Sequence, residues 1–419
     1  MKFVKTMRTE IIHIKKLVNT RSENILLRGQ ALADLPCLDD AFLLIEDDRI
    51  VAYGKMEDLP DKRPKATNIV NAEGKFLLPA WCDSHTHIVF AKSREEEFVD
   101  KIKGKSYAEI AANGGGILNS ANTLNATSEE ELFDSAWERL DEISRLGTGA
   151  VEIKSGYGLT VEGELKMLRV IKKLKEKSKL SIKATFLGAH SYPLAFKDNH
   201  AGYINLIIED MLPRIAEEKL ADYIDVFCEE GFFSPEETKQ VCEAGIQYGL
   251  RPKIHANQLH LSGGTEIGVQ LGAISVDHLE TMDEKAIRTL ADSTTIGTLL
   301  PTAAFFLRMP LQPARQLIDA GCAITLASDY NPGSSPSGNM NFVNAISAIQ
   351  MKMLPEEIIN ASTLQGAFAM GLENEVGSIS VGKKANLILT KKIPSLAYMP
   401  YAFGSNLIDK VMIAGEWIS

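Results

Sequence analysis

The sequence predicts an α/β protein: a (β/α)8 barrel joined to a small β domain that both chain termini build. Between residues 76 and 375, short apolar runs typical of buried strands alternate with amphipathic stretches of helical period. Residues 1–75 and 376–419 have strand character instead, and neither segment alone is long enough to bury a core. We therefore expect a barrel domain over 76–375 and one discontinuous domain made of 1–75 and 376–419.

Short strands account for both segments of the discontinuous domain. Apolar runs predict strands at 10–18, 41–45, 49–53, 68–72 and 76–78. The acidic run at 46–48 joins the second and third of these strands, which indicates a tight hairpin. After the barrel, strands are expected at 377–390 and 407–413.

Eight strands alternate with helices in the middle of the chain. The clearest helix covers 129–145, where apolar residues recur at helical spacing after a capping signature at 127–131. Further helices are expected at 162–177, 200–219, 235–248, 264–271, 283–291 and 310–320. After a first strand that ends at 83–87, strands are expected at 150–153, 182–188, 223–227, 251–254, 273–276, 295–299 and 323–327. Eight strands in about 300 residues are the number and length of a barrel.

Histidines gather at the ends of these strands. The chain has eight histidines, and five of them end or follow a predicted strand: His85, His87, His190, His255 and His278. Asp329 follows another strand. Because the carboxyl ends of barrel strands form the face that carries active sites, this placement predicts a catalytic site there. The remaining histidines are expected to be ordinary surface or loop residues: His13, His200 and His260.

Four of these residues match the needs of a divalent metal. His85 and His87 stand two apart on one strand, so their side chains point the same way. The H-x-H triplet alone recurs by chance, but His255 and Asp329 complete a typical ligand set. A metal there would lower the pKa of a bound water to about 7, and Asp329 could accept its proton. For each residue alone the alternative is a hydrogen-bonded core position, but the whole set favours a metal site.

Composition and charge narrow the function classes. The net charge of −10 over 419 residues disfavours nucleic-acid binding and attraction to anionic membranes. The five cysteines form no C-x-x-C pair, which indicates free thiols in a reducing compartment, and Cys82 is expected to be a small buried residue. The sequence has no signal-peptide pattern and no apolar run of about 18 residues, so we expect a cytoplasmic protein.

Several of these segments resemble a known superfamily. The D-S-H-T-H run at 83–87, the later His255, the pair Ser328-Asp329 and the tail at 377–389 resemble the amidohydrolase superfamily. The resemblance covers essentially the whole chain. It implies that the barrel is distorted and that the domain from both termini is a small β-sandwich.

A narrower resemblance concerns the substrate. Seven segments are similar, in the same order, to the imidazolonepropionase family: 93–98, 104–107, 113–117, 152–159, 185–190, 277–279 and 328–333. This implies a hydrolase that opens the ring amide C–N bond of 4-imidazolone-5-propanoate to N-formimidoyl-L-glutamate in histidine degradation. It also implies one divalent metal, zinc or iron, and a small anionic cyclic-amide substrate, and it suggests a homodimer.

The same resemblance implies roles for individual residues. An anionic tail needs a guanidinium and hydroxyl donors, and Arg94, Tyr107 and Tyr157 hold the matching positions. His190 is expected to contact the substrate, and His278 to hydrogen-bond the metal-bound water or to act as a base. Polar contacts around the other end of the ligand are expected from Asn331, Gly333 and Ser334. Taken alone, the tyrosines would rather be packed interior residues, and Arg94 would pair with its acidic neighbours.

One position departs from the family pattern. Three residues after His255, where the family usually has a glutamate, this chain has Gln258. Glutamine cannot accept a proton as a general base, although it can hydrogen-bond the ring. Either His278 or Asp329 acts as the base and Gln258 positions the substrate, or the substrate is different. We favour the first explanation, because the positions that match the tail contacts are intact.

Two other functions are compatible with the metal-site residues. A mononuclear amidohydrolase such as a cytosine or guanine deaminase would act on a substrate without a carboxylate, so replacing Arg94 would hardly affect it. A metal-binding homologue kept for structure or assembly would bind metal but open no ring. The complete set of strand-end histidines and Asp329 disfavours this last function.

Overall fold

Two sheets of eight strands dominate the structure, a computed structural model that describes residues 7–105 and 116–418. Five strands precede the barrel: β1 (Arg8–Val18), β2 (Cys37–Glu46), β3 (Arg49–Lys55), β4 (Asn68–Asn71) and β5 (Lys75–Pro79). Eight form the barrel: β6 (Trp81–Thr86), β7 (Thr148–Lys154), β8 (Ser181–Ala189), β9 (Tyr223–Cys228), β10 (Arg251–Ala256), β11 (Ser275–His278), β12 (Ile296–Leu299) and β13 (Ile324–Leu326). Three follow it: β14 (Leu387–Lys392), β15 (Ile408–Ile413) and β16 (Glu416–Ile418). The predicted fold class is confirmed.

Helices connect the barrel strands and cover its outside. In the first half of the described chain they are α1 (Glu95–Ile102), α2 (Ile117–Ala126), α3 (Glu129–Arg145), α4 (Val161–Lys177), α5 (His200–Leu206) and α6 (Leu212–Glu218). In the second half they are α7 (Pro235–Gln247), α8 (Gly264–Gln270), α9 (Glu284–Ala291), α10 (Pro301–Leu307), α11 (Ala314–Asp319), α12 (Met340–Ile349), α13 (Pro355–Asn360), α14 (Gly366–Ala369) and α15 (Tyr398–Tyr401). Single π-helical turns, at Ile207–Met211 and Ala361–Gln365, join α5 to α6 and α13 to α14. Short 3-10 helices lie at Gly29–Ala33, Met56–Asp58 and Leu194–Phe196.

The strand β5 joins the two ends of the chain into one sheet. The strand order is β16-β15-β14-β5-β1-β2-β3, and β4 pairs with β1 as well. β5 runs parallel to β1 and antiparallel to β14, so Leu77 pairs with Leu17 on one side and Leu389 on the other. All three leucines are buried in one apolar core, which the N-terminal strands alone could not enclose. This hydrogen-bonded sheet extends to Pro79, and the domain boundaries given above stay a prediction.

Two local sequence signals determine where helix α3 begins and ends. α3 begins with a capping box, in which Ser128 Oγ accepts the N–H of Glu131 at 3.2 Å and the Glu131 carboxylate accepts the N–H of Ser128 at 3.0 Å. Its inward face is apolar and at most 2% exposed: Leu132, Ala136, Leu140 and Ile143. The helix Glu129–Arg145 has the predicted bounds because cap and periodicity agree.

The first and last barrel strands meet at their carboxyl ends. Strands β6 to β13 pair with their neighbours in sequence order, all parallel. After β13, the N–H of Asp329 donates to the carbonyl of His85 at 3.0 Å, and the N–H of His87 donates to the carbonyl of Tyr330 at 2.8 Å. These two hydrogen bonds close the ring, and they bring Asp329 beside the two histidines of β6.

The strand expected at 377–390 is present only in part. Regular pairing begins at Leu387, and the preceding residues form turns. Gly377 and Gly382 have φ angles of +88° and +90°, a left-handed conformation that interrupts an extended strand. Ile379 keeps a single bridge to Thr20. Its apolar side chain is buried in the terminal core, which explains the strand-like pattern.

The helix expected at 310–320 is shorter than predicted. It begins at Ala314, because Pro310 and Pro313 lack the backbone N–H that a helix interior requires. A further helix, α10, precedes it and starts at Pro301, where proline at the first helical position is favourable. None of the helices and strands predicted from the sequence includes the residues of α10.

The sequence predicts free thiols and no membrane-spanning segment, and the structure bears on both. All five cysteines are free thiols, and Cys82 is buried. Within residues 7–105 and 116–418, no helix is both long and apolar enough to cross a membrane.

Replacing Gly366 with alanine should destabilise the protein by about 1–3 kcal/mol. Gly366 opens α14 against β6, and a β-carbon there would lie 2.2 Å from the carbonyl oxygen and 2.9 Å from the β-carbon of Cys82. Backbone of the strand that carries the histidines would have to move. Thermal unfolding followed by circular dichroism measures the loss.

Gly404→Ala is the matched control for this prediction. No heavy atom of the described residues lies within 4 Å of a β-carbon at Gly404, and its φ is not positive, so the change should be nearly neutral. Equal melting temperatures for the two variants would show that the contact at Gly366 relaxes without cost.

Candidate active site

The strand ends bring five histidines and Asp329 into one group, which we call the histidine cluster: His85, His87, His190, His255, His278 and Asp329. All of them are buried except His190, which is half-buried. The ring centroid of His85 lies 4.5 Å from that of His255, 5.3 Å from that of His87 and 5.6 Å from that of His278. His190 stacks on His87 at 5.5 Å. The other three histidines are exposed, as expected.

The donor atoms of the cluster fit a divalent metal. Two groups of three have ligand atoms within 4.8 Å of one another: His85 with His87 and Asp329, and His85 with His255 and His278. Nε2 of His85 and Nε2 of His87 lie 3.4 Å and 3.5 Å from Oδ1 of Asp329. Nε2 of His85 is buried and has no hydrogen-bond partner among the described residues. A buried imidazole nitrogen without a partner is costly, and a bound cation would satisfy it.

The protonation state of the cluster suits metal binding. Burial lowers the pKa of His85 and His87 well below the ordinary value, and neighbouring positive groups, including Lys154, lower it further. Burial likewise lowers the pKa of His190 to about 3. Only a neutral imidazole has the free nitrogen lone pair that a metal binds.

Carboxylates beneath the cluster orient two of the rings. Nδ1 of His85 lies 2.7 Å from Oδ2 of Asp277, and Nδ1 of His255 lies 2.9 Å from Oδ2 of Asp225. Asp225 also accepts the backbone N–H of His255 at 3.1 Å. A carboxylate can only accept, so each Nδ1 carries the proton and each Nε2 is left as the metal-binding nitrogen.

His278 has a carboxylate partner of its own. Its Nδ1 lies 3.4 Å from Oε1 of Glu280, whose side chain is 2% exposed. Burial alone would lower the pKa of His278, but the carboxylates of Glu280, Asp329 and Asp277 together raise it above the ordinary value, and Glu280 contributes most to this rise. His278 and Leu279 have φ angles of 88° and 66°, a strained conformation for residues other than glycine. Among the described residues, Nε2 of His278 makes no hydrogen bond, while Nδ1 faces Glu280.

A cavity of about 620 Å³ borders the cluster at His190. Its polar lining contains most predicted substrate contacts: Arg94, Tyr157, His190, Gln258, Asn331, Gly333 and Ser334. Its apolar walls include Phe98, Phe227, Phe232 and Phe306. The Arg94 guanidinium lies 5.9 Å from the ring centroid of Tyr157, and its Nε donates to Ser120 at 2.9 Å. Tyr107 lies outside the described residues.

The turn after β13 contains Asp329 and also forms part of the cavity wall. The side-chain oxygen of Asn331 accepts the N–H groups of Gly333 and Ser334, each at 2.8 Å. Ser334 Oγ donates to Oδ2 of Asp329 at 3.1 Å. A β-carbon at Gly333 would lie 2.6 Å from Nη1 of Arg94, so only glycine lets the guanidinium approach this turn.

Gln258 lies on a loop that a buried glutamate anchors. Glu229, at the end of β9, accepts the N–H of Leu259 at 2.8 Å and faces Nδ1 of His260 at 3.1 Å. Gln258 is half-buried and lines the cavity. Gln258 therefore lines the cavity on a loop that Glu229 anchors, and its contact with a ligand stays a prediction.

Some residues of the site were not among the predicted ones. Asp225, Asp277 and Glu280 orient the imidazoles, and Lys154 lies between the two aspartates. A sequence signal exists for part of this group. In β7 and β9, charged residues interrupt apolar strands at positions that face the barrel interior, where an unpaired charge would be costly.

Comparison with known proteins agrees with the fold and shows the family. Residues 200–418 match a family model described as the amidohydrolase family. The chain is similar to an imidazolonepropionase of Flavobacterium johnsoniae, with 58% identity over 98% of this chain and 100% of that protein. It is 55% identical to one of Flavobacterium psychrophilum, with the same coverage. The fold is also similar to a solved adenosine deaminase of Xanthomonas campestris with bound zinc, with a TM-score of 0.68, 17% identity, and coverage of 98% of this chain and 92% of that one.

Proposed function

The chain belongs to the imidazolonepropionase family of the amidohydrolases, and from this premise we propose which of its residues carry out the reaction. The enzyme hydrolyses the ring amide C–N bond of 4-imidazolone-5-propanoate and forms N-formimidoyl-L-glutamate, in histidine degradation. Water adds its oxygen to the ring carbonyl carbon, the C–N bond breaks, and the leaving nitrogen takes up a proton. The site must therefore hold a monoanion, move protons, and release a product with a second carboxylate.

One observation carries the assignment of residues: a single cavity is lined by Arg94 and by His190, the cluster residue whose ring stacks on His87. The cluster supplies groups that can bind a metal and transfer protons, and Arg94 supplies a positive charge for the propionate. Lys101 and Arg308 also line the cavity, together with Glu97, so its lining is locally cationic although the net charge of the chain is −10.

The proposed metal ligands are His85, His87, His255 and Asp329, which hold one divalent ion, zinc or iron. Three imidazoles and one carboxylate suit either metal. The ion, when bound, polarises the substrate carbonyl and lowers the pKa of a bound water to about 7. Asp277 and Asp225 support this assignment, because their contacts with Nδ1 leave Nε2 of His85 and of His255 for the metal.

The homodimer that the family resemblance suggests stays a prediction.

The substrate is proposed to lie with its propionate against Arg94 and Tyr157. A guanidinium gives charge-assisted hydrogen bonds to a carboxylate, and the buried Tyr157 hydroxyl adds a donor. Tyr107 remains a predicted third contact. The ring then points toward the cluster, where His190 and Gln258 can hydrogen-bond its polar edge. The turn at 331–334 supplies polar contacts around the other end of the ligand.

Proton transfer is proposed to use His278. Its Nδ1 is held by Glu280, so Nε2 can accept a proton from the attacking water and deliver it to the leaving nitrogen. Gln258 cannot take this role, because an amide does not accept a proton at neutral pH. Asp329, held at Oδ2 by Ser334, is the second group that can accept the water proton.

Replacing Arg94 with alanine should raise KM by about ten- to hundredfold, because charge-assisted hydrogen bonds contribute about 1.5–3 kcal/mol. The chemistry takes place at the cluster, so kcat should change much less. A spectrophotometric assay of imidazolone propionate consumption, with metal content measured on the same sample, gives both constants.

Arg288→Ala is the matched control for this prediction. Arg288 is an exposed arginine on α9 that pairs only with Glu284 of the same helix among the described residues, so its loss should leave KM unchanged. An unchanged KM in Arg94→Ala would show that the propionate binds elsewhere in the cavity.

A further inference from the structure

A buried ionic network lies inside the barrel next to the histidine cluster. It consists of five residues without solvent exposure, on the four strands β7, β9, β10 and β11: Glu152, Lys154, Asp225, Lys253 and Asp277. Nζ of Lys154 lies 2.6 Å from Oε1 of Glu152, 2.8 Å from Oδ2 of Asp225 and 3.5 Å from Oδ2 of Asp277. Nζ of Lys253 pairs with the other oxygen of Glu152 and donates to the carbonyl of Ser84 at 3.1 Å.

The network connects to the proposed metal ligands through single atoms. Oδ2 of Asp277 contacts both Lys154 and Nδ1 of His85. Oδ2 of Asp225 contacts both Lys154 and Nδ1 of His255. One ammonium group, on β7, therefore lies between the two carboxylates that orient two of the ligand imidazoles, which come from β6 and β10.

Stability alone does not account for such a network. Removing two lysines and three carboxylates from water costs several kcal/mol per ion, and well-packed apolar side chains of similar volume would do as well or better. Without Lys154, the carboxylates of Asp225 and Asp277 would face each other's charge with no ammonium group in contact with both, because Lys253 contacts neither of them within 4 Å in the described structure. They would then be free to turn away from the two imidazoles.

We propose that Lys154 is a positioning residue for the metal centre, whose ammonium group holds Asp225 and Asp277 where they keep Nε2 of His255 and of His85 directed at the metal. This inference rests on the proposed ligand set. It assigns to the barrel interior a role in metal affinity, at a distance of two hydrogen bonds from the ion.

Two charge-matched double variants test this role. Lys154→Met with Glu152→Gln, and Lys253→Met with Glu152→Gln, each remove one cation and one anion from the same network. Only the first removes the ammonium group that contacts both aspartates; Lys253 has no contact with either of them within 4 Å in the described structure. The readout is the zinc dissociation constant of the metal-free protein, measured by competition with a chromophoric chelator.

The Lys154 double variant should bind zinc about ten- to hundredfold more weakly than the wild type, the usual effect of losing a group that orients a ligand. The Lys253 double variant should stay within about threefold of the wild type. Equal dissociation constants for the two double variants would overturn the proposal, whether both are weak or both are unchanged. A wild-type protein that binds no zinc or iron would instead contradict the proposed ligand set.

Folding is monitored by circular dichroism and by the melting temperature of each metal-free variant. If the methionine variant at 154 does not fold, Lys154→Gln with Glu152→Gln takes its place, because the amide keeps a donor of similar reach. The zinc dissociation constant of this variant should lie between that of the wild type and the value expected for the methionine variant. An affinity equal to that of the Lys253 control would then overturn the proposal.

Discussion

Replacing His278 with alanine should lower kcat by about two to four orders of magnitude and leave KM nearly unchanged. The imidazole lies beside two proposed metal ligands, with its ring centroid 5.6 Å from that of His85 and 5.2 Å from that of His255. Glu280 faces Nδ1, so Nε2 is the nitrogen able to take and return a proton. Steady-state kinetics on protein with measured metal content separate kcat from KM.

Gln258→Ala is the matched comparison for His278→Ala, since Gln258 lines the substrate cavity but cannot transfer a proton. Loss of a neutral hydrogen bond, about 0.5–1.5 kcal/mol, should raise KM by about two- to tenfold with little change in kcat. The two variants thus separate chemistry from binding. An equal fall of kcat in both would contradict this division of roles and would make Gln258 part of the proton-transfer machinery.

The placement of the site could be predicted because it depends on strand ends. His255 and His278 each close an apolar run, and a parallel barrel brings such ends to one face whatever the exact register. Helix α3 could be predicted to the residue because its capping box and its apolar face are both local signals. These features need no knowledge of which side chains meet across the barrel.

The partners beneath the cluster could not be predicted in the same way. The contact of His85 with Asp277 joins residues 192 positions apart, and that of His255 with Asp225 depends on the register between β9 and β10. A shift of one residue would turn either aspartate to the other face of its strand. The sequence indicates charged residues inside the barrel, but their pairing follows from strand register and stagger, which are set by the whole sheet.

The proposed roles divide chemistry and substrate choice between two kinds of position. The proposed metal ligands and His278 lie at or just after the ends of barrel strands. Arg94 and Gln258 belong to segments that follow the strands, where change costs less stability. With these proposed roles, the departure at Gln258 changes how the substrate is held, while His278 and Glu280 still form the proposed proton-transfer pair.

Replacing His85 with alanine should abolish activity because it removes the metal. His85 belongs to both groups of three potential ligands, so neither group survives the change. Loss of a residue that only orients a ligand typically weakens metal binding by about 10- to 100-fold, and loss of a ligand itself should exceed that. We expect metal per chain to fall from about one to near zero, measured by elemental analysis after dialysis against a weak chelator. Thermal unfolding gives a second readout, since a ligand at a hundredfold its dissociation constant stabilises the folded state by about 2.7 kcal/mol.

His190→Ala is the informative control, because it removes a histidine of the same cluster that belongs to neither group of ligands. Its Nδ1 lies 3.0 Å from the carbonyl oxygen of Gly156, and its ring lines the cavity. This variant should lose substrate binding yet keep one metal per chain and the full shift of melting temperature on adding zinc. If His85→Ala kept its metal, or if His190→Ala lost it, the ligand set would have to be assigned differently within the cluster. The pair of variants thus decides which imidazoles bind the ion and which bind the substrate, a distinction that burial and proximity alone do not make.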